Sequence, residues 1–232
     1  MKKIIAFASL LFISLYTSGQ ITTATGSSNI NDVLFITRSS IKGTPFFKDE
    51  WMNGKYVTNN GSFSDNKFLV YNVYTNYLFE KNGSNPQDAI ALNSNDISGF
   101  VLVDKSQNYI FKKIESDKFL DNNRDTKFYL LIEPTSDKVI IEPNKTFKDP
   151  NSSGWTSSSQ NNKAGEFKYN ESVYIFTSTS KYEKVKNNKS SVLSIFYDKK
   201  DQISAFIKEK KLNFKNNKDF ILITNYYYSL KK

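Results

Sequence analysis

The sequence FYLLIEPTSDKVIIE, residues 128–142, contains two apolar runs separated by turn-forming residues. Successive side chains of a strand point to opposite faces, and both faces of 128–132 are apolar, so we expect this strand to be buried on two sides. Residues 133–138 include Pro, Ser and Asp, which favour turns, and Val139 and Ile141 follow on one face. The pattern predicts a β-hairpin over 128–142.

Similar short runs extend in both directions from this hairpin. They are rich in β-branched and aromatic residues and are separated by clusters of Asn, Asp, Gly and Ser, which is typical of strands and turns. We expect a β-rich antiparallel body, a sandwich or a barrel-like sheet, over residues 32–186. Within it, residues 151–165 are small and polar and are expected to form a long exposed loop. Strands are predicted at 33–37, 68–73, 77–79, 97–103, 109–114, 128–132, 139–141 and 173–176.

After about residue 187 the period of apolar residues changes from two residues, as in a strand, to 3.6 residues, which indicates helices. Residues 203–207 place apolar side chains at i, i+3 and i+4, and Asp198 is placed to cap this helix. A second helix is predicted over 218–230 and a shorter one over 191–196. The predicted fold class is therefore α+β, with a C-terminal element of two to three helices over 187–232.

Three aromatic side chains are candidate contacts for a partner protein or a glycan: Trp155, Tyr226 and Tyr228. Trp155 has no apolar neighbours in sequence, so it is either an exposed contact or a ring that folds back into the β body. Residues 226–228 are all tyrosine, and successive helical residues step by about 100°, so at least one stays at the rim. Trp51, the other tryptophan, is expected in the core.

The chain has no histidine and no cysteine. This composition excludes disulfides, thiolate and imidazole nucleophiles, Ser-His-Asp relays and the usual zinc and haem ligands. Ser64 and Lys67 match a Ser-x-x-Lys spacing, but they precede a strand and no Lys-Thr-Gly accompanies them. Residues 121–125 resemble the start of a calcium loop, but Thr126 stands where glycine is required. We therefore predict no enzyme, and no catalytic, cofactor-binding or metal-binding residue.

The formal charge of +9 raises the question of nucleic-acid binding. Only Arg38 and Arg124 are arginines, so 30 of the 32 basic residues are lysines, which lack the planar fork used for bidentate contacts to phosphate and guanine. The lysines are also scattered along the chain. We predict a solvated basic surface and no nucleic-acid partner.

The first residues resemble an export signal. Two lysines precede an apolar run of 13 residues, Ile4–Tyr16, which is too short to span a bilayer, and small residues follow it. We predict a signal peptide over 1–19, with cleavage after Ala24 as the alternative, and a flexible leader over 20–31. The expected location is the periplasm, with secretion or the cell surface as the alternative. With no cysteine for a lipid anchor and no other long apolar run, we expect no stable membrane insertion.

Several segments together match a known pattern: Gly43-Thr44-Pro45-Phe46-Phe47, Trp51, Gly54, Leu69–Asn72, Phe206–Lys208, Leu212 and Tyr226–Tyr227. In these residues the chain resembles a large family of exported, uncharacterised proteins of the Bacteroidota. Its members share a Gly-Ser/Thr-Pro-aromatic segment, a Tyr-Asn strand, a β-rich middle and a Lys-rich helical tail. The resemblance implies export and this arrangement of elements, and it implies no activity, cofactor or catalytic residue.

Three functions remain open at this level. The first is a non-catalytic accessory or binding subunit that docks on an envelope protein, for example as part of an outer-membrane complex. The second is a carbohydrate-binding module that uses exposed aromatic side chains. The third is a hydrolase with a carboxylate pair drawn from distant segments.

Overall fold

The computed structural model describes residues 41–83, 89–121, 123–148 and 165–231. Eleven strands in this part of the chain form one mixed sheet, and three helices follow them. The fold class is α+β and β-rich, as predicted. The strands are β1 Ile41–Lys42, β2 Met52–Thr58, β3 Lys67–Asn72, β4 Tyr77–Lys81, β5 Ala89–Leu92, β6 Ile97–Val103, β7 Asn108–Ile114, β8 Lys127–Glu133, β9 Ser136–Lys148, β10 Gly165–Phe176 and β11 Tyr182–Val185.

The strand order is β1-β10-β9-β8-β7-β6-β2-β3-β4-β5, and β11 also pairs with β10. All pairs are antiparallel except β1 with β10, which is parallel and lies at one edge of the sheet. The segment after β1 then bonds to β3: the Phe47 amide donates to the Tyr71 carbonyl at 2.8 Å, and the Val73 amide donates to the Pro45 carbonyl at 3.0 Å. Residues 41–47 therefore connect β10 with β3, six places away in the sheet, which gives the curled sheet a barrel-like closure.

The helices are α1 Lys189–Ile195, α2 Lys200–Glu209 and α3 Asn217–Ser229. Asparagine side chains cap two of them: Asn188 accepts from the Ser191 amide and Asn216 from the Lys218 amide. The prediction that Asp198 caps α2 is wrong, since α2 begins after Lys199 without a side-chain cap. The Asp198 carboxylate instead accepts a hydrogen bond from the Tyr227 hydroxyl at 3.0 Å, which ties α3 to the turn before α2.

The predicted hairpin over 128–142 is confirmed as β8 and β9. Phe128 and Tyr129 point to opposite faces and both are buried, as the two apolar faces of this strand indicate. Strands β1, β2, β5 and β11 were not predicted. Polar or small residues interrupt the apolar pattern of β2 and β11, and β1 and β5 are only two and four residues long. The predicted signal peptide, leader and strand at 33–37 lie outside the described residues. The predicted loop 151–165 does too, except for Gly165, which begins β10.

The helices and the sheet share one hydrophobic core. Odd-numbered residues of the paired strands β9 and β10, namely Val139, Ile141, Val173 and Ile175, pack against buried residues of all three helices. The even-numbered residues of the same strands, such as Tyr174, pack on the other face of the sheet against the loop that follows β7. A further core lies within the curled part of the sheet, where the Phe100 and Phe111 rings stack with centroids 4.6 Å apart.

This shared core predicts that sheet and helices unfold together. Ile175 is fully buried under the helices, so Ile175→Ala should lower the free energy of unfolding by about 3 kcal/mol. Leu222→Ala removes a half-exposed aliphatic chain from α3 and serves as the control, with a change within about 0.5 kcal/mol. Urea unfolding followed by helical circular dichroism and by tryptophan fluorescence, which includes Trp51 of the sheet region, should give coincident transitions. Two separate transitions would show that the helical element is an independent unit.

Candidate functional site

The pairing of β9 with β10 continues beyond the part that the helices cover. The next odd-numbered pairs along the two strands are Pro143 with Glu171, Lys145 with Tyr169, and Phe147 with Phe167. Cross-strand partners lie on the same face of an antiparallel pair, so these residues extend the face that carries the core. We call Lys145, Phe147, Phe167 and Tyr169 the aromatic end of the β9–β10 ribbon.

The rings of the aromatic end remain accessible to solvent. Phe147 is 36% exposed and Tyr169 is 44% exposed. The Phe147 and Phe167 ring centroids lie 4.9 Å apart, and Tyr74, 54% exposed, packs edge-on against Phe167 at 5.6 Å. Exposed single aromatic residues are ordinary, but a continuous set on one face is typical of a contact surface.

We call residues 41–49 the closing segment. A groove of about 430 Å³ lies beside the aromatic end, between the closing segment and the ribbon. Its volume is in the range of ligand pockets, about 300–1,000 Å³. The closing segment reaches this position because Gly43 has a positive φ of 71°, and a Cβ there would lie 3.2 Å from the Phe167 carbonyl oxygen. We call this space the seam groove. It is lined by Phe47, Lys48, Asp49, Lys145 and Tyr169.

Lys145 is the most buried charged group of the seam groove, with 11% of its side chain exposed. Its ammonium donates to the Thr44 carbonyl at 2.8 Å and lies 3.9 Å from a carboxylate oxygen of Asp49. Burial lowers the pKa of Lys145, and the Asp49 charge partly opposes this effect. The Lys145 amine can therefore be reached from the groove, and its surroundings disfavour its charged form.

Lys48 lies at the same groove in a different environment. Its ammonium is 4.9 Å from the Tyr109 ring centroid and 5.8 Å from the Phe47 centroid, within the range of cation–π contacts. The Tyr109 side chain is the main cause of a raised pKa for Lys48, so this group stays charged. The seam groove thus has aromatic walls, two cationic side chains and the carboxylate of Asp49.

The tail tyrosines predicted as contacts, Tyr226 and Tyr228, also make contacts within the protein and stay partly exposed, so their assignment as partner contacts stays a prediction. Tyr226 is partly buried and stacks on Phe206, with centroids 4.1 Å apart and planes at 8°. The Tyr228 hydroxyl donates to the Phe176 carbonyl at 2.8 Å, and the Lys138 ammonium lies over its ring. Trp155 lies outside the described residues, so its assignment as a contact stays a prediction. Trp51 packs, partly buried, against a small core cluster.

The residues of the seam groove were missed at the sequence level. Lys145 was overlooked because a lysine in a strand indicates a solvated side chain unless the opposite strand is known. Phe167 and Tyr169 alternate with polar residues in FKYNE, residues 167–171, and this alternation was a usable signal for a strand with one aromatic face. Their pairing with Lys145 and Phe147 required the register of β9 and β10.

The two weak catalytic and metal motifs have structural roles. Lys67 forms an ion pair with Glu80 at 2.6 Å, while Ser64 accepts a hydrogen bond from the Tyr56 amide at 3.1 Å. Each side chain therefore has its own partner. Within the described residues no cluster of acidic side chains could hold a metal ion.

Arg124, which lies within the rejected calcium-loop candidate 121–125, belongs to a buried polar network. Its guanidinium contacts Glu142 at 2.5 Å, hydrogen-bonds to the Tyr174 hydroxyl and lies over the Phe119 ring. The Tyr174 hydroxyl also donates to Glu142 at 2.9 Å. The side chains of Arg124 and Glu142 are 18% and 10% exposed. These contacts hold the loop after β7 on the sheet, and the Arg124 guanidinium is bound by side chains of the protein itself.

Comparison with known proteins gave no match: no family model, no curated protein and no solved structure is similar to this chain. The resemblance to exported Bacteroidota proteins therefore stays a prediction. Among the helices of the described part, none has the length and apolarity needed to cross a membrane.

The buried environment of Lys145 predicts that its ammonium loses its proton at a lower pH than that of an exposed lysine. If lysines are ¹³C-dimethylated and followed by NMR, the Lys145 signal should titrate at lower pH in the native protein than in urea, because burial disfavours the ammonium. Between these two pKa values the unfolded state binds more protons, so the contribution of Lys145 to stability rises with pH. Asp49→Asn should lower the native pKa further, whereas Asp117→Asn, in the loop after β7, should leave it unchanged. Equal midpoints in the native and unfolded states would contradict the assignment.

The Arg124 network predicts a strong charge coupling. Arg124→Met leaves the Glu142 carboxylate buried with only Lys127, at 3.4 Å, as a described charged partner, so the free energy of unfolding should fall by about 3 kcal/mol. Adding Glu142→Gln removes the uncompensated charge and should recover part of the loss. Urea denaturation of the two single variants and the double variant measures the coupling. Additive losses would mean that the two side chains act independently.

Proposed function

We propose that this protein is an exported, non-catalytic binding protein that holds a polysaccharide chain on the aromatic end of its β9–β10 ribbon. One observation carries the proposal: the apolar face of the ribbon continues past the helix-covered core as exposed rings beside a groove with polar side chains. Sugar rings bind proteins by laying their apolar faces on aromatic side chains while polar groups fix their orientation.

The absence of histidine and cysteine supports a binding role over a catalytic one, since it removes the commonest nucleophiles and proton carriers. Export is supported by the two lysines and the 13-residue apolar run at the start of the chain. The periplasm is the proposed location.

Glycan binding is favoured over docking through the helical tail because the tail tyrosines contact other parts of the protein, whereas the ring of Tyr169 is exposed. Tyr226 and Tyr228 make stacking and hydrogen-bond contacts inside the protein. Tyr169 is 44% exposed, lines the seam groove and uses its hydroxyl on Glu171 at 3.2 Å, which leaves its ring face for a ligand. An envelope protein partner stays a prediction and is an outcome of the test below.

Tyr169→Ala should weaken polysaccharide binding about three- to tenfold, because it removes one stacking surface. Affinity electrophoresis of the purified protein through gels that contain neutral or acidic polysaccharides measures this change. Tyr197→Ala is the matched control: Tyr197 is 71% exposed but lies between α1 and α2, so binding should persist. Trp155→Ala in the same gels decides whether that ring belongs to the contact set.

A protein that no polysaccharide retards, and that instead copurifies with one envelope protein in equal amounts, would overturn the proposal. Such a result would favour the accessory subunit that the sequence first indicated. Retardation that survives both Tyr169→Ala and Phe167→Ala would move the binding site away from the ribbon.

A further inference from the structure

The positive charge of Lys145 is only partly compensated within the described residues. Its side chain is 11% exposed, yet its ammonium has three donors and a single hydrogen bond in this part of the chain, to the Thr44 carbonyl. A buried charge normally has a close counter-charge, because the loss of hydration is otherwise uncompensated. The Lys145 ammonium can therefore donate further hydrogen bonds to an acceptor that enters the groove.

Asp49 supplies little of this compensation. Its nearest carboxylate oxygen is 3.9 Å from the Lys145 ammonium, its side chain is 64% exposed, and it also accepts a hydrogen bond from the Thr44 hydroxyl. An exposed ion pair at this distance contributes little to stability. Glu171, the nearest acidic residue along β10, is held by the Tyr169 hydroxyl and by the Asn217 amide at 2.9 Å.

Lys48 adds a second cation on the opposite wall. Its nearest described contacts are the rings of Phe47 and Tyr109, and the carboxylates of Asp104 and Glu50 add a weaker attraction that also raises its pKa. Among the five residues that line the seam groove, two are lysines and one is an aspartate. The groove therefore has a positive balance directly beside the rings of the aromatic end.

We propose that the seam groove binds the anionic group of an acidic polysaccharide, a carboxylate or a sulfate, between Lys145 and Lys48. This inference rests on the proposed function and specifies its ligand class. The anion accepts hydrogen bonds from the Lys145 ammonium, and the sugar ring that carries it lies against Tyr169 or Phe47. A neutral glycan would leave the Lys145 charge as poorly compensated as it is in the free protein, so acidic chains are preferred.

The test measures dissociation constants of the purified protein by fluorescence anisotropy with labelled polymers. Polygalacturonate supplies carboxylates, dextran sulfate supplies sulfates, and dextran is neutral. We expect at least one acidic polymer to bind about tenfold or more tightly than dextran, and the tighter of the two identifies the anionic group. Lys145→Met should remove about tenfold or more of that affinity, and Lys145→Arg should retain part of it.

Lys168→Met is the matched control, because Lys168 lies on the paired strand β10, next to Tyr169 but on the opposite face, and is exposed. It should change the affinity less than about twofold. Asp49→Asn removes the competing carboxylate and should strengthen binding of the acidic polymer. This variant keeps the test decisive if Lys145→Met fails to fold, which circular dichroism would show.

Different failures have different meanings. If dextran binds as tightly as both acidic polymers and neither Lys145→Met nor Asp49→Asn changes the affinity, the inference is wrong but the proposed function stands. If no polysaccharide binds, both are wrong. Equal binding of poly-glutamate or single-stranded DNA, with equal losses in Lys145→Met and Lys168→Met, would also overturn the inference, because it would indicate attraction to the basic surface as a whole.

Discussion

The antiparallel pairing of β9 with β10 places the odd-numbered residues of both strands on one face from Val139 and Ile175 to Phe147 and Phe167. Where the helices pack on this face, the residues are aliphatic and form the main core. Where the helices end, the same face carries rings and Lys145. Because one register sets both regions, a slip by a single residue would move the core and the candidate site to the wrong side together.

The closing segment makes the second essential contribution. It leaves β10, turns at Gly43 and bonds to β3, which brings Phe47, Lys48 and Asp49 against the ribbon. The Thr44 carbonyl then meets the ammonium of Lys145. The contacts that close the sheet therefore also form the seam groove. Lys145, the most buried charge among the described lining residues, lies where the segment and the ribbon meet.

Much of the fold followed from local patterns. The hairpin of β8 and β9 was predictable because both faces of residues 128–132 are apolar and turn formers follow. The helix α3 was predictable because Phe220, Ile223 and Tyr227 are spaced for one face, and all three are buried. Asp198 was misassigned because local sequence cannot distinguish a cap from a carboxylate that bonds to Tyr227, 29 residues away.

The sequence alone determined the α+β class, the absence of histidine and cysteine chemistry, and the succession of a strand-rich part and a helical part, since each depends on composition or short-range periodicity. Only the tertiary structure decided which aromatic residues are available. Tyr226 stacks on Phe206 and Tyr228 bonds to the Phe176 carbonyl, and both are partly buried, whereas Phe147 and Tyr169 are exposed beside Lys145. The reason is physical: exposure and the pKa of a buried amine depend on neighbours from distant segments, and here Thr44 and Lys145 are 101 residues apart.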